Sequence, residues 1–335
     1  FDEPHGPFLC PQPYASMYAD YEFPKSPAVY DTLEDKPIHQ KVWAAQKPFP
    51  DREKFTIKQK YFFGCNSYVD SLIGKVADAA PKDAMIMYTS DHGDLLGSHC
   101  LFAKGPAAYD DVARIPFIIR NPEGLRGEVY TRQPVSHINV CPTIMEYFSL
   151  PIPRQFEGGS ILGTTKDLDA PADESFLIEF GRFELDHDFY GGLQLMRCIV
   201  KDNMKLVINL LSDDELYDLD KDPYECKNLI NDPEYKATRN ALHDELLEKM
   251  NENRDPFRAY YWERRPWRDD ARAATWQYTD WTRQRENEEY EPRQLDYATG
   301  LTITNAQRKK IHAAEFPGFT HLDELINWIE KDAIK

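Results

Sequence analysis

From Lys58 to Ala80 apolar side chains recur every three or four residues, at Tyr61, Cys65, Tyr68, Val69, Leu72, Ile73 and Val76. That spacing puts them on one face of a helix, and Pro81 marks its end. Then the pattern changes. Residues 84–89 and 115–119 are short apolar runs of the kind that form buried strands. A helix followed by a short buried strand, repeated, predicts α/β layering with a mostly parallel sheet. A further helix opens at Pro142, since proline is tolerated in a first turn.

Beyond about Ser175 the texture differs. Residues 193–210 give two strand-like runs separated by Lys201-Asp202-Asn203, the pattern of a hairpin. Residues 215–229 read as a strand ending in acidic turns. An amphipathic helix follows over 232–250, with Asp232 as N-cap, Pro233 at its first position and Leu242, Leu246, Leu247 and Met250 on one side. Before all of this, residues 1–55 hold nine prolines, a density that helices and central strands avoid. The stretch reads as an ordered loop draped over the protein and anchored by Phe8, Tyr14, Tyr18, Tyr21, Phe23 and Tyr30. In residues 255–300 Trp262, Trp267, Trp276 and Trp281 alternate with Arg264, Arg265, Arg268, Arg272, Arg283, Arg285 and Arg293. Such a stretch suits surface packing or a homo-oligomer contact over 256–300. Three regions are expected: an α/β catalytic domain over 1–174, a hairpin-plus-helix subdomain over 175–255 and an aromatic, Arg-rich extension over 256–335.

Charge and cysteine usage narrow the classes. The 335 residues carry a formal net charge of −17 with no Lys/Arg-rich run, so a nucleic-acid partner is not expected. No stretch approaches the ~18 apolar residues of a membrane span, and no membrane partner is expected. The six cysteines, Cys10, Cys65, Cys100, Cys141, Cys198 and Cys226, form no C-x-x-C pair. This argues against a zinc ribbon and leans towards the cytoplasm.

The candidate chemistry lies where the first strand run ends. Asp91 and His92 follow it directly, and in an open α/β sheet the ends of strands face the ligand crevice. Carboxylate and imidazole are both metal ligands. Lys104, twelve residues on, offers a point charge for an oxyanion. An equally open reading makes Asp91-His92 a helix cap and leaves Lys104 solvated. His5, framed by Pro4 and Pro7, is an imidazole that a rigid loop could aim. His99 reads as a support of its own loop, and His137 has no evident partner.

Taken in order, several segments resemble the sulfatase family of the alkaline-phosphatase-like superfamily. They are Phe1 and Pro4-His5 with Pro7-Phe8, then Tyr68-Val-Asp70 with Ile73-Gly74, and Thr89-Ser90-Asp91-His92-Gly93. Gly97-Ser-His99, Lys104-Gly105, Arg114-Ile-Pro116 and Cys141-Pro142-Thr143 continue the series. Glu215-Leu-Tyr-Asp-Leu219, Asp222-Pro223 and Asn228-Leu229 close it. The likeness covers most of residues 1–255, and the tail resembles that of an uncharacterised bacterial sulfatase subgroup. It implies an alkaline-phosphatase-like sandwich with a mostly parallel central sheet, its N-terminal part missing, plus a small C-terminal α+β subdomain. It also implies that Asp91 and His92 supply half the ligands of a divalent metal, usually calcium, with manganese or magnesium as alternatives. Lys104 would hold the sulfate oxygens, and His5 would stand near the bridging ester oxygen to assist the leaving group.

One departure is sharp. No cysteine stands in Cys-x-Pro-x-Arg, the family segment whose cysteine becomes the formylglycine nucleophile, and Cys10 in Cys-Pro-Gln-Pro-Tyr comes nearest. The paired aspartates and the further Lys/His pair of the family also lack counterparts. The expectation is therefore a sulfuric ester hydrolase fragment, inactive alone and completed by its own N-terminal segment, acting on a small aryl or carbohydrate sulfate. Two other readings stand beside it: a phosphonate monoester or phosphodiester hydrolase of the same superfamily, and a non-catalytic sulfatase-like binding module.

Overall fold

The computed structural model describes residues 1–46, 56–125, 127, 133–153, 156–170, 173–183, 192–253 and 255–271. Over its described residues, 1–46, the N-terminal strap is anchored by its aromatic side chains. Phe8 meets Phe62 edge-on at 5.3 Å, Tyr14 meets Tyr68 at 5.4 Å, and Phe23 stacks on Phe63 at 4.4 Å. Their partners all lie on one long helix, Thr56–Ala79. It begins two residues before the predicted start. Two members of its predicted apolar face, Tyr61 and Val76, are exposed, while Cys65 and Val69 are buried.

Within the proline-dense region the sequence reading missed a helix, α1 (Ile38–Gln46), which precedes α2 (Thr56–Ala79). The reason is physical. Its apolar residues Ile38 and Val42 face solvent, whereas His39 and Gln40 are buried in a polar network. A helix that buries its polar face gives no apolar periodicity to read. Just upstream, the Pro37 carbonyl accepts from the Gln40 and Lys41 amides.

Strands β1 (Ile86–Thr89) and β2 (Phe117–Arg120) pair in antiparallel register, Ile86 opposite Arg120 and Thr89 opposite Phe117. The α/β class stands, but the parallel pairing expected for these strands is corrected. They are also less buried than predicted, with Ile118 60% exposed. Between them lie a 3-10 turn, Ser98–Cys100, and one short α-helical turn, α3 (Asp110–Ala113). Helix α4 (Val140–Tyr147) starts before Pro142, after a 3-10 turn over His137–Asn139 in which the Ser136 amide donates to Asn139 Oδ1 at 2.7 Å.

The C-terminal half is a four-stranded antiparallel sheet in the order β3 (Ser175–Phe183), β4 (Gly192–Lys201), β5 (Met204–Asn209), β6 (Glu215–Asp218). The β4–β5 turn is Asp202-Asn203, both at positive φ, as a two-residue hairpin of the primed type requires. Strand β3 escaped the sequence reading. Because strand side chains alternate, Leu206 and Ile208 face α5 (Lys236–Glu252), where Leu242, Leu246 and Met250 complete a core with Trp262. Cys198, Val200 and Val207 face the other way and pack on Ala108.

The second face of the sheet therefore carries the loop that leads from Lys104. Buried polar groups reinforce the join. Lys205 Nζ donates to the Ala108 carbonyl at 2.8 Å, to Asp110 at 2.6 Å and to Glu225 at 2.7 Å. Burial alone would lower the Lys205 ammonium, but Glu225 and Asp110 reverse it to a net rise. From the sequence-predicted extension, Arg265 reaches back to Asp214 through two hydrogen bonds of 2.7 and 2.9 Å, and Trp267 Nε1 donates to the same carboxylate. Trp276, Trp281, Arg272, Arg283, Arg285 and Arg293 lie outside the described residues, as does most of the proposed oligomer contact. Among the described residues no helix is long and apolar enough to cross a membrane.

Candidate active site

Strand β1 ends at Thr89, and the chain turns at once into Ser90-Asp91-His92-Gly93. The turn is tight because position 93 has no side chain: a Cβ there would lie 2.0 Å from the Asp111 carbonyl oxygen. The Gly93 amide instead donates to the Val112 carbonyl at 2.8 Å. Further on, the Leu95 amide donates to the carbonyl of Ala103, the residue before Lys104, at 2.9 Å. Asp91-His92 and Lys104 thus stand on the outgoing and returning limbs of one loop.

At the first limb the donor set is defined by its hydrogen bonds. His92 Nδ1 lies 2.8 Å from the Gly93 carbonyl, which can only accept, so that nitrogen carries the proton. Nε2 is left with its lone pair, 3.4 Å from Asp91 Oδ2. Burial works to raise the Asp91 carboxyl, yet the hydrogen bonds from the His92 amide and the Ser90 hydroxyl hold the group below its ordinary range. An ionised carboxylate beside an imidazole lone pair fits a divalent cation as a two-donor half-site. Among the described residues no group of three or more His, Cys, Asp or Glu side chains could hold a metal.

On the returning limb, Lys104 Nζ lies 3.4 Å from His5 Nε2, although 99 residues separate them in sequence. His5 Nδ1 donates to the Gly6 carbonyl at 2.9 Å, so its Nε2 lone pair faces the ammonium. Both side chains are exposed. Such a pair can grip an oxyanion and exchange a proton with an ester oxygen. The structure thus brings His5 to Lys104, and Asp91 to His92. Among the described residues no hydrogen bond or ion pair joins one pair to the other.

Two supporting histidines complete the setting. His99, buried at a positive φ of 55°, bonds Asp31 Oδ2 through Nδ1 at 2.7 Å and stacks on Tyr109 at 3.7 Å. His137 has no partner in the sequence reading. In the structure its Nε2 lies 2.7 Å from the Ser90 carbonyl, which braces the residue before Asp91 from the far side. Neither contact leaves a local signal, since each partner is more than forty positions away.

Known proteins place this chain. A model described as "Sulfatase" matches residues 1–150, and one described as "N-sulphoglucosamine sulphohydrolase, C-terminal" matches residues 97–252. An uncharacterised sulfatase, YidJ of Escherichia coli, is 41% identical over 305 residues, 90% of this chain and 59% of that protein. The chain belongs to the sulfatase family. An arylsulfatase of Clostridium perfringens is 26% identical over 75% of the chain and 52% of its own length. This sulfatase chain spans somewhat more than half the length of those curated relatives. In fold it is similar to a protein solved with its substrate D-glucosamine-2-N,6-O-disulfate, at a TM-score of 0.65, 17% identity and coverage of 76% and 65% of the two chains. It is similar also to a phosphonate monoester hydrolase from Silicibacter pomeroyi, at a TM-score of 0.64, 24% identity and coverage of 75% and 54%. The alkaline-phosphatase-like fold is shared by all of them.

Proposed function

We propose that His5, Asp91, His92 and Lys104 form one wall of the active site of a sulfuric ester hydrolase. The observation that carries this reading is the convergence of Lys104 and His5 at 3.4 Å across 99 positions. Family members generally use a divalent metal. Here Asp91 and His92 would hold it, with calcium as our choice and manganese or magnesium as alternatives. Bound there, the ion would supply charge stabilisation to the transferring group and its nucleophile. Lys104 would bind the sulfate oxygens as a point charge. His5, its Nδ1–H fixed by Gly6, would take a proton on Nε2 from the neighbouring ammonium or from water and release it to the departing ester oxygen. The formylglycine nucleophile and the remaining metal ligands would come from sequence outside these 335 residues.

A sulfated carbohydrate is the substrate class we favour. Relatives named as acting on hexuronate 2-O-sulfate and N-acetylglucosamine 6-O-sulfate support it, each 26% identical over somewhat more than half of the chain. The same wall would serve a phosphonate or phosphate diester, and a relative named as a multifunctional member of the alkaline phosphatase superfamily, 27% identical over 70% of the chain, keeps that second reading in play. Rates on a carbohydrate sulfate and on an aryl phosphonate, measured with the full-length polypeptide, separate the two. The test of the wall itself is Asp91→Ala in that polypeptide. Bound metal and turnover should both fall by at least tenfold, and unchanged metal content would sink the assignment.

A further inference from the structure

The strap and helix α2 meet along a regular register. Phe8 packs on Phe62 and Tyr14 on Tyr68, and between these two aromatic contacts Cys10 lies over Gly64 and Cys65. The approach is close because Gly64 has no side chain. A Cβ at that position would sit 2.5 Å from the Tyr14 carbonyl oxygen and 3.5 Å from Cys10 Sγ. Cys65, the next residue, is fully buried, and its thiol interacts with that of Cys10, which is half-exposed. None of the proposed chemistry at His5, Asp91, His92 or Lys104 uses either sulfur.

We propose that Cys10 and Cys65 form a paired-thiol modification site that a low-molecular-weight disulfide oxidises to a disulfide bond within the chain. Of the two, Cys10 is the first to react because solvent reaches it. Burial first, then the Cys10 thiol and the nearby Glu3 carboxylate, push the Cys65 thiol up to about 12, which keeps it protonated, leaves the first attack to Cys10 and makes the second step the slow one. In the first step the Cys10 thiolate attacks one sulfur of R–S–S–R; the S–S bond of the reagent breaks, and one R–S⁻ leaves and takes up a proton. In the second, Cys65 loses its proton and attacks the Cys10 sulfur, which breaks the mixed disulfide and releases the second R–SH. Two thiols are oxidised and one small disulfide is reduced to two thiols. The bond would fasten the strap to α2 five residues from His5, making the mobility of the candidate acid responsive to thiol redox state. The inference does not depend on which ester the site hydrolyses.

The experiment is a non-reducing peptide map of the native chain after incubation with oxidised glutathione, with excess thiol blocked before unfolding. The expected product is one cross-linked pair of peptides carrying Cys10 and Cys65, with a loss of about 2 Da from the reduced protein. Cys65→Ser should stop at a stable glutathione adduct on Cys10, and Cys10→Ser should leave Cys65 unmodified. A wild-type chain that keeps the Cys10 adduct without cross-linking would overturn the proposal. So would a bond from either residue to Cys100, Cys141, Cys198 or Cys226, or no reaction at Cys10 at all.

Discussion

His243 offers a test of how α5 is held. It is 1% exposed, its Nε2–H donates to the Trp262 carbonyl at 2.6 Å, and Arg268 donates to Nδ1 at 3.3 Å. Both ring nitrogens are therefore committed in the neutral form, one as donor and one as acceptor. Protonating Nδ1 would point an N–H at a guanidinium. Burial is the main cause, and together with Arg268 it outweighs the Trp262 bond and pushes the imidazole down to about 4. The unfolded chain should titrate near 6.5. Above 6.5 neither state binds the proton and the residue contributes no pH dependence. Below it the unfolded state binds more protons, so stability falls with falling pH until the folded pKa is passed. A difference of roughly 2.5 units corresponds to about 3.4 kcal/mol in full, of which about 2 kcal/mol is lost by pH 5. The comparison is with His243→Gln, which can donate to Trp262 and accept from Arg268 but cannot be charged. Urea unfolding of both proteins from pH 7.5 to 4.5 cancels the carboxylates common to both. The wild type should lose about 2 kcal/mol against the variant by pH 5. Parallel stability curves would refute a histidine held neutral by its surroundings.

Two further substitutions probe the joint between sheet and site. Lys205→Met leaves Glu225 buried with no cation, and equilibrium unfolding should show a loss of about 3–5 kcal/mol; a loss below ~1 kcal/mol would mean the lysine is not the group that balances that carboxylate. Lys104→Met in the full-length polypeptide should lower kcat/KM for a sulfate ester by at least 100-fold, or about 2.7 kcal/mol of transition-state binding, while leaving the unfolding midpoint unchanged because the side chain is exposed. A lowered midpoint with normal kinetics would assign Lys104 to structure.

The elements that the sequence reveals are those whose apolar periodicity coincides with burial. The middle of helix α2, at Cys65 and Val69, and the β4–β5 hairpin show this, the hairpin because Asp202 and Asn203 tolerate the positive φ that its turn needs. Where burial is polar, the pattern is silent. Helix α1 hides His39 and Gln40 and exposes Ile38 and Val42, so hydrophobic spacing points the wrong way. The same limit governs the site. Residue types at the end of β1 suggest a metal and an oxyanion, but nothing local says that His5 faces Lys104, that Asp31 steadies His99, or that His137 braces Ser90.

Two of these long-range contacts, those of His5 with Lys104 and of Asp31 with His99, trace to the second face of the C-terminal sheet. Val207 and Cys198 there pack on Ala108, and Lys205 bonds the Ala108 carbonyl and Asp110. That fixes the segment just after Lys104. Tyr109, one residue further, stacks on His99 and donates to Gln40 of α1 at 2.6 Å, which ties the strap to the same segment. The strap then returns His5 to Lys104. A sheet with no candidate catalytic residue of its own thus sets the position of two, and its integrity is a condition of the chemistry. Loss of Lys205 should on this argument disturb His5 and Lys104 together, whereas loss of Lys104 should leave the sheet untouched.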